Sequence, residues 1–435
     1  MRMKRPVSML LAALAVASCG GGDSAPCPSM MATYAVTGTL GIPSSTVVGA
    51  NLIFAETSLN GSYAEADGQF GVLIDTGSPV VLIDPSHFGQ PGPVTADEVK
   101  VTVDLGFVKD GSTVVTIKSI PALALSAALM DELGYGGILG GDVMRDFSIQ
   151  LDYAAPTMEG FCLGCVSGPR DDVASPGATL SFALRGGGTG PVPLGNNVQP
   201  TVMIPPTRIP VTVDIEGVPH LFILDTGASE VSIRTSVFTA LTSDGRPVLS
   251  DFPITTVTGD SGASVARAKQ LTVAGEVVTD VPVMTIPGDA LLNGIGQELD
   301  RSGKTQLDGL LGGSFLRNFL VTIDYPNGQL HLQRYTTQTW QDEFKRVGIE
   351  LGPGSQHSYG VAVVYAGTDA AQKGIPVRDD VWSIDGMPLD GMDAIQADAL
   401  LNGTPGTTKT LAISNPGAPK ATTVQVLVND LIPSS

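Results

Sequence analysis

The strongest constraint on the fold of this 435-residue chain is that it repeats itself. Phe70-Gly-Val-Leu-Ile-Asp75-Thr76-Gly77-Ser78-Pro-Val-Val-Leu-Ile-Asp84 lines up, 150 positions on, with His220-Leu-Phe-Ile-Leu-Asp225-Thr226-Gly227-Ala228-Ser-Glu-Val-Ser-Ile-Arg234. Each segment is an apolar run, a short Asp-Thr-Gly turn and a second β-branched run. That is the pattern of two buried strands joined by a tight turn in which Gly supplies the unusual backbone angles. A second pair lies 172 positions apart: Gly137-Ile-Leu139-Gly140-Gly141-Asp-Val-Met-Arg145-Asp-Phe147-Ser-Ile-Gln-Leu-Asp152-Tyr153 and Gly309-Leu-Leu311-Gly312-Gly313-Ser-Phe-Leu-Arg317-Asn-Phe319-Leu-Val-Thr-Ile-Asp324-Tyr325. Eight of these 17 positions are identical, far beyond what ordinary residue usage yields by chance. Two copies of one unit follow, 33–166 and 196–336, the second with about 22 more residues between its two segments. The Gly/Pro-rich stretch 167–195 reads as a linker, with one strand expected near Thr179–Leu184.

Composition sets the class. Only 15% of residues are charged and 5% aromatic, against 53 Gly and 31 Pro, which points to an all-β dominated, turn-rich protein. Acidic residues outnumber basic ones 43 to 24, and a net charge of −19 repels phosphate backbones, so nucleic acid is excluded as a partner. Four His and four Cys leave little material for a metal site, and no metal or cofactor is expected.

The N-terminus carries its own message. Arg2, Lys4 and Arg5 precede a short apolar run, Val7–Val16, too short to span a bilayer. Val16-Ala17-Ser18-Cys19 resembles the bacterial lipobox. Residues 1–18 then read as a lipoprotein signal peptide, Cys19 as the lipidated first residue and 19–32 as a flexible tether. The protein is thus expected in a bacterial cell envelope, held to a membrane by its lipid. Such an oxidising compartment permits a disulfide, for which Cys162 and Cys165 are the candidates; their surroundings read as a strand end and not as a redox helix.

Two DTG turns in pseudo-symmetric copies suggest chemistry. A carboxylate at the end of a buried strand is costly unless hydrogen-bonded. Two such carboxyls brought together on a twofold axis cannot both ionise and share one proton. One can then act as general base on a water and the other as general acid toward a carbonyl.

At this point the chain resembles a pepsin/retropepsin-type aspartic protease, specifically the bacterial retropepsin-like families. Both parts of that signature occur twice: Asp75-Thr76-Gly77 with Ile138-Leu139-Gly140, and Asp225-Thr226-Gly227 with Leu310-Leu311-Gly312. The resemblance implies two β lobes, Asp75 and Asp225 as the catalytic pair acting on protein or peptide substrates, and support from Gly77, Ser78, Gly227 and Ala228. It also implies that Thr76 and Thr226 cross-brace the turns by hydroxyl-to-backbone hydrogen bonds. Since one chain supplies both turns, it can be active as a monomer. A water-excluding flap is expected at Thr256–Ala263, with Thr258, Gly259 and Asp260 at its tip, and in lobe 1 at Asp104–Ser112. As in pepsin-like enzymes, the Ser78 hydroxyl, with Ala228 its counterpart, would donate to the outer oxygen of Asp75 and make Asp75 the more readily ionised member.

Gly259-Asp260-Ser261-Gly262 also resembles a serine-protease nucleophile turn, but His87 and His220 lack that family's flanking residues, and a polar hairpin tip is the better reading. Residues 344–435 resemble a PDZ domain of the bacterial periplasmic protease type, on Gly374-Ile375, Ile384-Asp385-Gly386 and Pro405-Gly406-Thr407. In that resemblance Tyr359, Gly360, Val361 and Ala362 would pair with an extended peptide. The function expected is an aspartic endopeptidase with substrate recruited or gated by the PDZ module. The rival is a tethered peptide-binding lipoprotein that no longer cleaves.

Overall fold

The computed structural model describes residues 8–9, 34–44, 46–49, 51–63, 70–90, 100–124, 135–154, 159–191, 201–256, 259–285, 287–300, 304–355, 357–392, 394–418 and 421–434. The signal peptide, tether, Cys19 and Thr258 lie outside the described residues, apart from Ser8–Met9, which pair with Ile254–Thr255.

Each repeat folds into its own sheet around the two apolar runs that the sequence repeats. In lobe 1, Phe70–Ile74 and Tyr135–Leu139 run parallel, with Ile74 beside Leu139; in lobe 2, Val218–Leu224 and Gly309–Leu311 do the same, with Leu224 beside Leu311. Central parallel strands covered on both faces need continuous apolar sequence, which is why these runs do not alternate. The second strand after each turn, Val81–Ile83 or Val231–Ile233, returns antiparallel to the same partner. Gly140 and Gly312 allow this tight crossing. A Cβ on either would lie under 3.0 Å from the backbone of Val80 or of Glu230.

A third sheet joins the lobes. Its order is Ala178–Ser181, Gln329–Arg334, Phe319–Asp324, Ser148–Asp152, Phe161–Leu163, Pro43–Ser44. Ser148–Asp152 of lobe 1 pairs antiparallel with Phe319–Asp324 of lobe 2, from Ser148 opposite Asp324 to Asp152 opposite Leu320. The stretch expected as a linker therefore contributes a strand to this sheet, at Ala178–Ser181, and a further pair, Gly188–Pro191 with Thr201–Ile204. Cys162 and Cys165 form a disulfide at the end of Phe161–Leu163.

The C-terminal module is a β/α unit in the order Lys345–Val347, Thr422–Asp430, Thr408–Ser414, Asp380–Ile384, Tyr359–Val364, Ile349–Pro353, with helix Ala394–Ala399. It packs on lobe 2 through one continuous apolar cluster. Phe252, on the flap strand Val248–Thr256, lies 5.3 Å from Phe344 and 6.4 Å from Tyr365, ring centre to ring centre. Arg267 fastens the seam, donating to the Ile432 carbonyl at 2.7 Å and to Asp342 at 2.6 Å.

A second junction ties three parts of the chain. Arg317 of lobe 2 donates to Glu343, ahead of the module, at 2.8 Å and to Asn51 of lobe 1 at 2.7 Å. The Asn51 amide in turn donates to Glu230 at 3.2 Å and to Glu343 at 3.1 Å.

Candidate active site

The two DTG turns meet between the lobes. A Cβ built on Gly77 would fall under 3.0 Å from all three carboxyl atoms of Asp225, and one on Gly227 would do the same to Asp75. Each turn glycine thus makes the space that the opposite lobe's carboxyl occupies. The threonines brace the pair reciprocally. Thr76 N–H donates to Thr226 Oγ1 at 3.0 Å and Thr226 N–H to Thr76 Oγ1 at 3.1 Å. Each hydroxyl then donates across to the strand of the other lobe, Thr76 to Leu224 O at 3.0 Å and Thr226 to Ile74 O at 2.7 Å. Four such bonds in a buried site fix the carboxyls with little freedom.

The two carboxyls are not equivalent. Asp75 Oδ1 accepts N–H donors from Gly77 at 2.7 Å and Ser78 at 2.9 Å, whereas Asp225 Oδ1 accepts one, from Gly227 at 3.0 Å. Asp225 Oδ2 is buried and meets no donor among the described residues. Burial pushes Asp75 up to about 6, opposed by its hydrogen bond with Asp225 and by the two backbone donors. Burial, and then the charge of Asp75, push Asp225 well above the usual carboxylate range. Donors that favour the ionised form concentrate on Asp75, so ionisation is favoured there over Asp225.

The Ser78 hydroxyl has a different role from the one expected. It donates to Val80 O at 2.8 Å and so caps its own turn, and the second donor to Asp75 is the Ser78 backbone N–H. Ser78→Ala should therefore leave the pH dependence of the pair unmoved; a pH–rate profile of that variant whose acidic limb shifts would contradict this assignment.

The segment expected as the lobe 2 flap joins two antiparallel strands, Val248–Thr256 and Gly259–Val273, with Thr256 opposite Gly259 and Thr255 opposite Asp260. Ser261 lies within that hairpin opposite Ile254, and His220 Nδ1 lies 3.2 Å from Asp308. In lobe 1, Asp104–Ser112 does form a hairpin, turning at Asp110-Gly111, but its position is not that of a flap. Its second strand runs parallel to Val81–Ile83, as Glu276–Thr285 runs parallel to Val231–Ile233. It therefore matches the Ala274-Gly275 turn of lobe 2, one strand beyond the flap.

In the C-terminal module, Tyr359, Gly360 and Val361 lie on an interior strand. Tyr359–Val364 is paired with Ile349–Pro353 on one side and, over Tyr359–Gly360, with Asp380–Ile384 on the other. The edge open to an added strand belongs to Ile349–Pro353, which faces helix Ala394–Ala399.

Sequence reading missed Arg208. It is buried beside the first turn, where its Nη1 donates to Gly77 O. The signal was a lone arginine in the apolar stretch Ile204-Pro-Pro-Thr-Arg208-Ile-Pro, with Leu52 at the corresponding place in lobe 1. Among the described residues no three His, Cys, Asp or Glu side chains cluster as metal ligands.

No curated protein matches the chain. Among solved structures, a retropepsin-like aspartic protease from Rickettsia conorii is 19% identical over 29% of this chain and 82% of that one, with a TM-score of 0.20. The PDZ domain of a carboxy-terminal protease from Vibrio cholerae, in complex with peptide, is 19% identical over 19% of this chain and 92% of that one, with a TM-score of 0.18. A photosystem II D1 C-terminal processing protease is 23% identical over 20% of this chain, with a TM-score of 0.19; the match spans 23% of that protein's length. Residues 211–315, which run from the strand before the second DTG turn through the second Leu-Leu-Gly, match the aspartyl protease family, so lobe 2 carries an aspartyl-protease family domain.

Proposed function

We propose that this protein is an aspartic endopeptidase whose catalytic pair is Asp75 and Asp225. One observation carries the reading: each DTG glycine leaves room only for the carboxyl of the opposite turn, so two carboxyls face each other with donors arranged for one proton between them. Asp75, the ionised member, takes a proton from a water as its oxygen attacks the scissile carbonyl carbon. Asp225 gives its proton to the carbonyl oxygen. Collapse of the tetrahedral diol breaks the C–N bond and passes a proton to the departing amine. The flap Val248–Thr256/Gly259–Val273 excludes water during these steps. Digestion of a peptide library by the purified protein tests this: cleavage should persist with chelators and serine reagents and stop with pepstatin-type inhibitors.

A second reading, a peptide-binding lipoprotein without cleavage, is favoured by the closure of the site, since Asp75 and Asp225 are 1% and 0% exposed. An uncleaved library that still binds would decide for it.

The C-terminal module, in this proposal, is a PDZ domain that adds an extended substrate segment to the Ile349–Pro353 edge. Its deletion would uncover Phe252, so competition is the cleaner experiment. Free C-terminal peptides should slow cleavage of protein substrates and leave short peptides untouched. Anchoring through a lipidated Cys19 completes the proposal. Cys19→Ala should release the protein from the membrane fraction; unchanged fractionation with an unmodified Cys19 by mass spectrometry would overturn it.

A further inference from the structure

We propose that Arg208, supplied by lobe 2, is a positioning residue of the carboxyl pair: it ties down the Gly77 carbonyl of the lobe 1 turn and holds the pair in its singly ionised state by its charge. The inference rests on the aspartic-protease reading above and adds to it a residue outside the repeated motifs.

Arg208 and Glu298 side chains are 1% and 5% exposed. A buried guanidinium is costly unless paired and hydrogen-bonded. Here Nε and Nη2 donate to Glu298 Oε2 at 3.0 and 2.9 Å, and Nη1 donates to Gly77 O. The backbone is held as well: Arg208 N–H donates to Arg185 O at 3.1 Å and Arg185 N–H to Arg208 O at 2.9 Å. Gly186, at φ 79°, lies over the stem, where a Cβ would come within 3.1 Å of Arg208 Cγ. The segment between the lobes thus closes over the ion pair.

The arrangement is one-sided. Pro210 opposite Ile223 corresponds to Phe54 opposite Leu73, so the lobe 1 counterpart of Arg208 is Leu52; the repeat does not demand an arginine and the pseudo-twofold axis does not explain one. The turn that receives the clamp is the one whose aspartate takes two backbone N–H donors, and Gly77 itself supplies one of them. Fixing the Gly77 carbonyl fixes the Gly77–Ser78 peptide unit, and with it the Ser78 N–H that donates to the Asp75 carboxylate.

The charge acts on both acids. Arg208 pulls Asp75 and Asp225 down against burial. The other titratable groups that feel the pair are phenols: Tyr135 and Tyr325 toward Asp75, Tyr153 toward Asp225, all kept neutral by burial. Glu298 faces the pair through Arg208 and partly neutralises it. Arg208 is thus the cation in this set, and removing it or its counter-ion should move the pair in opposite directions.

The test is a carboxyl ¹³C NMR titration of the purified protein with labelled aspartate, the pair assigned through Asp75→Asn and Asp225→Asn. This readout does not require that any peptide be cleaved. Arg208→Met should raise the pair's first apparent midpoint by about one pH unit. Glu298→Gln should lower it, and Arg208→Lys, which keeps the charge and loses the planar fork, should stay near the parent. Where cleavage is measured, the acidic limb of kcat/KM should move in parallel. Midpoints of Arg208→Met and Glu298→Gln that both overlay the parent's would reduce Arg208 to packing and overturn the proposal. Should Arg208→Met fail to fold, Glu298→Gln decides alone, a downward shift supporting the proposal and an overlay overturning it. A parent that titrates as described yet cleaves nothing would sink the protease reading and not this one.

Discussion

Asn at either position of the carboxyl pair is expected to abolish proteolysis, and Asp75→Asn should also raise stability as pH passes from 3.8 to about 6. In the proposed mechanism Asp75 and Asp225 act as base and acid in the same step, and losing a positioned acid or base costs on the order of 10²–10⁴-fold in rate. The stability effect follows from burial. Both carboxyls have folded pKa values above the ordinary 3.8, Asp75 at about 6 and Asp225 well beyond that range. Groups raised in this way contribute stability below the unfolded value, and that contribution is lost as pH rises through the folded one. Asp75→Asn has no such loss, so its Tm should gain on the parent's as pH rises from 3.8 to about 6, stay above it beyond, and converge with it below 3.8. The parent's activity should rise as pH passes through the same region, since Asp75 must be ionised to take the proton. Fluorogenic-peptide kinetics and thermal melts on both sides of that pH check all three statements. Undiminished cleavage by either Asn variant would remove the assignment.

Arg317→Met is expected to destabilise the protein strongly. Arg317 is the cation between a buried carboxyl, Glu230, and a half-buried one, Glu343, at the meeting of lobe 1, lobe 2 and the start of the C-terminal module. Burial, and then Glu343, push Glu230 well above its usual value. Glu343 is held below its own, because Arg317 outweighs its desolvation. Removing one partner of a buried ion pair costs about 3–5 kcal/mol, because the other charge stays behind. Glu230→Gln should act in the opposite sense. Glu230 contributes stability that is present below the unfolded value of 4.5 and lost as pH rises through its raised folded value. The Gln variant avoids that loss and should gain on the parent as pH climbs above 4.5. Urea unfolding across pH reads both effects, and an unchanged midpoint for Arg317→Met would show that the cluster is not under this charge balance.

Much of this molecule was legible as local pattern. Apolar runs around Asp75 and Asp225 announced buried strands, and their repetition announced two pseudo-equivalent units whose turns would meet. Such features depend on neighbours along the chain, and a turn or strand reports itself in adjacent residues.

What escaped the sequence depends on which distant groups come together. Ser78 has the composition of a carboxylate donor, but its hydroxyl found Val80 O, a nearer acceptor set by the turn's own backbone. Tyr359–Val361 and Ile349–Leu351 are both short apolar strand segments, and only the order of strands in the sheet decides which one has an open edge. The hairpin at Asp110-Gly111 was recognisable as a hairpin, yet its place beyond the flap follows from a parallel pairing with residues some forty positions earlier. Arg208 shows the rule most plainly. By itself it is one arginine in an apolar segment. Its roles arise because the chain brings Glu298, 90 positions on, and Gly77, 131 positions back, to the same guanidinium. Periodicity and turn chemistry are written into adjacent residues, so the sequence alone determined two β lobes, their DTG turns and a C-terminal β/α module. Hydrogen-bond partners, strand edges and buried ion pairs are settled by burial, where an unmet polar group is costly, so only the tertiary structure could decide them.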